Sequence, residues 1–99
     1  MPLAMHLNLD GAWDAGTLDL PELDLRSWGP RLRYCAPSAE VQAFYRHVKD
    51  RLPPFVLYGS GDFHYLTALL LRRVARPVTL VSFDNHPDWD RRPPRWCCG

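Results

Sequence analysis

Phe55-Val56-Leu57-Tyr58-Gly59-Ser60-Gly61-Asp62, followed after a helical pattern by Val78-Thr79-Leu80-Val81-Ser82-Phe83, is the stretch on which the fold turns. The first four residues are an apolar run that stops at a Gly-Ser-Gly-Asp turn, as a buried strand does. Phe63, Leu66, Leu70 and Val74 then recur at helical spacing. Arg72 and Arg73 stand where cations complement the C-terminal end of a helix dipole, and Arg76-Pro77 ends the pattern. Residues 78–83 are rich in β-formers and predict a strand buried on both faces.

Working outward, Leu3 to Leu9 alternates as a short strand, and Asp10-Gly11 closes it as a turn. Residues 12–37 are broken by Pro21, Gly29, Pro30 and Pro37 and predict loop with short pieces. Ser38 is placed to cap a helix whose apolar face is Val41, Phe44, Tyr45, Val48 and Leu52, stopped by Pro53-Pro54. The order strand, helix, strand, helix, strand predicts an α/β domain, with a parallel sheet and right-handed crossovers. Ligands of such sheets gather at the carboxyl ends of the strands, where Asp10, residues 59–64 and residues 84–88 are expected to emerge together.

Bulk composition narrows the function classes. In 99 residues, twelve Lys/Arg against eleven Asp/Glu leave a formal charge of +1, with no broad field for nucleic acid or an anionic membrane. The N-terminal segment lacks the basic and apolar regions of a secretion signal, and the apolar run Ala68 to Leu71 is far shorter than the ~20 residues of a membrane span. A cytoplasmic protein acting on a small molecule is expected, and a homo-oligomer is compatible with this. Cys35, Cys97 and Cys98 are odd in number and lack C-x-x-C spacing, so they predict ordinary reduced thiols.

The chemistry centres on Asp84-Asn85-His86-Pro87-Asp88, directly after the last predicted strand. Extended backbone sends residues two apart to the same side, so Asp84, His86 and Asp88 face together. Pro87 favours extended backbone at His86 and cannot donate to a sheet ladder. The ordinary reading is a solvated acidic turn with a histidine packed beside it. His64, leaving the neighbouring strand at the same edge, favours a metal site instead. Oxygen and imidazole ligands suit manganese, iron or zinc better than calcium, with manganese the first choice. A competing reading takes Gly59-Ser60-Gly61 and Asp84 as a dinucleotide fingerprint. His64 stands at its third small position, and His86 and Asp88 are left unused.

Gly61-Asp62-Phe63-His64 and Asp84-Asn85-His86-Pro87-Asp88 resemble the Gly-Gly-Asp-His and Asp-x-His-x-Asp motifs of the arginase and agmatinase ureohydrolases. The first contains Phe63 as an extra residue, and the likeness covers roughly residues 55–90. It implies that residues 1–99 are the N-terminal portion of a single arginase-like domain, three-layered α/β/α and incomplete. It also implies two manganese ions, with Asp84 bridging them, His64 and Asp88 on one and His86 on the other. Such a pair activates water for hydrolysis of a non-peptide C–N bond in a guanidino or amidine compound. The family's further Asp-x-Asp pair lies on a later strand for which 99 residues leave no room. Weak metal binding and little or no turnover are therefore expected of this chain by itself. Where the family carries substrate-recognition residues, this chain has Arg91-Arg92-Pro93-Pro94-Arg95-Trp96-Cys97-Cys98, which reads as a solvated tail. The alternative is a non-catalytic arginase-like module that works by binding.

Overall fold

In the computed structural model, which describes residues 2–13, 15–81, 83 and 96–98, the alternation of Leu3 to Leu9 becomes the central strand of a sheet. This strand, β1 (Ala4–Asn8), lies between β2 (Glu22–Asp24) and β4 (Phe55–Tyr58), parallel to both. The chain is thus a small α/β domain with a three-stranded parallel sheet. His6 aligns with Glu22 on one side and with Leu57 on the other, so the register is fixed across all three strands. Backbone bonds from His6 N–H to Pro21 C=O (2.8 Å) and from Leu25 N–H to Asn8 C=O (2.8 Å) hold the two ends of the β1–β2 ladder.

The third strand is not the expected one. Val78 to Val81 and Phe83 belong to no strand, and exposure rises from 55% at Val78 to 97% at Phe83. Propensity for extended backbone forms a strand only when a partner supplies the ladder bonds, and here none of these described residues pairs with one. Glu22-Leu23-Asp24, polar at both ends, takes the place instead because β1 offers it an edge. Short helices α1 (Ala15–Leu18) and α2 (Gly29–Leu32) complete this region. A second, two-stranded sheet pairs β3 (Cys35–Pro37) antiparallel with β5 (Trp96–Cys98), in a segment expected to be solvated tail.

Helix α3 (Ser38–Val48) forms where the periodicity places it, then tightens into a 3₁₀ turn at Lys49–Arg51. Ser38 is its first residue rather than its cap, since Pro37 precedes it with an extended backbone. Val41, Phe44, Val48 and Leu52 are buried in one core with Leu7, Leu9, Leu25 and Leu32. Trp28 adds an edge-on contact to Phe44, with ring centroids 5.5 Å apart. Truncating the fully buried Phe44 to alanine would cost about 3–5 kcal/mol. Gly29 is required by a close approach: a Cβ there would lie 2.1 Å from the Leu9 carbonyl oxygen.

After β4 the expected helix divides into a 3₁₀ segment (Gly61–Leu66), a single turn α4 (Thr67–Leu70) and a second 3₁₀ segment (Leu71–Arg73). Phe63, Leu66 and Leu70 of the predicted stripe are buried and Val74 is half-buried. Arg73 donates to the Pro53 carbonyl and, at 3.0 Å, to that of Pro54, so this crossover returns to the start of β4. Among the described residues no helix is long and apolar enough to cross a membrane.

Candidate functional site

Parallel strands bring their carboxyl ends to one edge, and here β1 and β4 deliver Asn8-Leu9-Asp10 and Gly59-Ser60-Gly61 side by side. After β1, Asn8 Oδ1 accepts from Gly11 N–H at 2.8 Å, and Asp10 Oδ1 accepts from Ala12 N–H at 3.1 Å. These side-chain bonds substitute for the ladder that has ended. After β4 the chain reverses at Gly59, whose φ of +47° suits glycine and whose missing side chain makes room for the Phe63 ring. Ser60 Oγ accepts from Asp62 N–H at 3.4 Å, and the Ser60 carbonyl accepts from Phe63 N–H at 3.1 Å.

His64 therefore sits, half-buried, on a 3₁₀ turn at the carboxyl rim. Its carbonyl accepts from the Thr67 hydroxyl at 2.9 Å, and that hydroxyl lies 2.5 Å from the Tyr58 hydroxyl. Burial pushes the Tyr58 phenol up from its ordinary value near 10, and the bond to Thr67 opposes this only in part. Beside His64 is an open hollow of about 240 Å³, lined by Trp13, His64 and residues 56–61. The Trp13 indole N–H closes over its rim by donating to the Gly59 carbonyl at 2.8 Å.

Two carboxylates at this rim are joined by one cation. Arg33, between α2 and β3, donates through Nη1 to Asp62 Oδ2, while its Nη2 lies 3.6 Å from Asp10 Oδ2. The Asp10 side chain is 7% exposed, so the Arg33 charge compensates a carboxylate that has little access to water. Tyr34, at φ +68°, aims its N–H at the Asp62 carbonyl (2.8 Å), and the Tyr65 hydroxyl donates to the Leu32 carbonyl (2.7 Å).

Of the residues singled out in the sequence, His64 is at the expected edge with Asp10 and the 59–62 turn. Asp84, His86 and Asp88 lie outside the described residues. Among the described residues, no group of three or more His, Cys, Asp or Glu side chains is disposed to hold a metal ion. Those residues do not by themselves fit manganese. His64 brings one imidazole to this rim, and Asp10 and Asp62 are already held by Arg33. Arg33 and Trp13 gave no signal in the sequence, since each reaches this rim only through contacts distant along the chain.

No family model matches the chain, and no solved structure matches it. A stretch of 30 residues is 50% identical to an uncharacterised protein of Thermotoga maritima. The match takes in 30% of this chain and 12% of the length of that protein.

Proposed function

We propose that the chain contributes to a manganese-dependent, ureohydrolase-like centre for hydrolysis of non-peptide C–N bonds, within an arginase-like α/β/α domain. The single observation that carries this reading is the position of His64: on the turn leaving β4, at the carboxyl rim, one chain crossover before Asp84-Asn85-His86-Pro87-Asp88. The reading requires Asp84, His86 and Asp88 to reach that rim as the other ligands.

Two further features support such a convergence. The crossover ends with Arg73 bonded at the start of β4, so the chain beyond it sets out from the amino end of that strand. The outer edge of β4 is also open among the described residues. Phe55 N–H bonds inward to the Leu3 carbonyl at 3.1 Å, and alternate residues of a parallel strand bond to the same side. Val56 and Tyr58 thus offer their backbone groups outward. Residues 78–81 do not pair with that edge in the structure, so the reading asks only that the edge be open to a segment that brings residues 84–88 to the rim bearing His64.

Manganese titration of the chain, with His64→Ala, Asp84→Ala and Asp88→Ala, tests the proposal. Saturable but weak binding is expected, reduced about 10-fold or more by each substitution, with little release of urea or ammonia from guanidino and amidine compounds. Manganese binding indifferent to all three substitutions would overturn it.

A further inference from the structure

We infer that Cys35 and Cys98 form a reversible disulfide site, which staples β5 to β3 when the two thiols are oxidised. Spacing along the chain predicts ordinary reduced thiols, but the ladder makes neighbours of residues that spacing keeps apart. β3 and β5 run antiparallel, with Cys35 aligned to Cys98, Ala36 to Cys97 and Pro37 to Trp96. Directly opposed residues of an antiparallel ladder have Cα atoms about 4.5 or 5.5 Å apart, according to whether the rung is hydrogen-bonded, and a disulfide spans about 4.4–6.8 Å between Cα atoms. Either kind of rung is therefore within range. The two cysteines are 63 residues apart in sequence and become neighbours only through this register.

The register also selects between the two candidate partners. Consecutive residues of a strand belong to opposite faces, so Cys98 shares the face of Cys35, whereas Cys97 shares that of Ala36, which is fully buried. Cys35 carries a free, half-buried thiol, part of which meets solvent. In the oxidation its thiolate attacks one sulfur of a low-molecular-weight disulfide, forming a mixed disulfide and releasing one small thiolate. The Cys98 thiolate then attacks the Cys35 sulfur, closing the Cys35–Cys98 bond and releasing the second. The two cysteines lose two electrons, the small disulfide gains them, and the two protons pass to the released thiolates. Cys35 follows Tyr34, whose N–H holds the Asp62 carbonyl at 2.8 Å, so the staple anchors β5 to the segment that braces the exit of β4.

The test uses the whole chain, with oxidised and reduced glutathione as the redox couple, and the variants Cys97→Ser and Cys98→Ser. After acid quenching and alkylation of the remaining thiols, the bonded residues are read from the masses of tryptic peptides and their fragments. In the unmodified chain the peptide Tyr34–Arg46 is expected to be joined to Trp96–Gly99 through Cys98, and dithiothreitol should release it. Cys97→Ser should keep this link. In Cys98→Ser the reaction should stop at the mixed disulfide of Cys35, which should accumulate about 10-fold or more over the unmodified chain because the second attack is no longer intramolecular. A link that survives Cys98→Ser but not Cys97→Ser, a bond between Cys97 and Cys98, a bond between two copies of the chain, or Cys35 left as a thiol or mixed disulfide in the unmodified chain overturns the proposal. Mapping the unmodified chain identifies the bonded residues directly, so the result holds even if a serine variant folds poorly.

Discussion

His6 Nδ1 lies 3.3 Å from Glu22 Oε1 across the β1–β2 ladder, yet among the described residues neither ring nitrogen of His6 makes a hydrogen bond, although the residue is 1% exposed. The two side chains are close because their residues are aligned in register, but the ring N–H is not directed at the carboxylate. A buried polar ring without a partner carries the desolvation penalty of burial with no compensating bond.

His6→Leu is therefore expected to leave the fold intact and to raise stability by about 1 kcal/mol, as replacement of an unsatisfied buried polar group by an apolar one permits. Glu22→Gln should shift stability by less than about 0.5 kcal/mol, because that carboxylate is partly solvated. Urea denaturation of the two variants checks this. Strong destabilisation by His6→Leu would mean that the imidazole has a polar role in the folded state.

Tyr58 should ionise above the ordinary tyrosine value near 10, and Thr67→Val should push it higher, because the lost hydroxyl is the group that opposes burial. The sign for stability follows. A tyrosine whose folded pKa exceeds its unfolded value holds its proton longer in the folded chain. Its contribution is full below about pH 10 and is lost as pH rises through the folded value. Ultraviolet titration of the phenolate band, taken as a difference against Tyr58→Phe, measures the shift. An ordinary Tyr58 titration insensitive to Thr67→Val would contradict the burial of this pair.

Gly59→Ala meets two penalties. The backbone φ of +47° is strained for alanine, and the new Cβ would lie 2.5 Å from Phe63 Cδ2. Together these predict a loss of about 2–4 kcal/mol from backbone strain and overpacking. The loss is to be read from the urea midpoint at unchanged slope, and an alanine variant as stable as the parent would rule out this geometry at the turn.

Removing metal should not unfold the domain. The buried core is apolar and gathers no set of metal ligands among the described residues. Chelator should leave the circular dichroism spectrum in place. Added manganese at a concentration equal to its Kd should stabilise the chain by about 0.4 kcal/mol. Collapse of the helical signal in chelator would assign the metal a structural role that the core does not suggest.

The sequence by itself determined β1, α3 and β4, because each carries its own signal. Alternation marks β1, the spacing of Val41, Phe44 and Val48 marks α3, and an apolar run before Gly59 marks β4. It also placed His64 and Asp10 at one edge, since parallel strands that leave a sheet in the same direction expose their exits together. Only the tertiary structure decided that Glu22-Leu23-Asp24, with no strand pattern of its own, completes the sheet while Val78 to Val81 stay outside it. Strand pairing is a property of two segments, and an edge that offers backbone partners can recruit a polar triplet that propensity would pass over. Arg33 was hidden for the same reason: its meaning comes from Asp10 and Asp62, 23 and 29 residues away along the chain, which meet it only after folding.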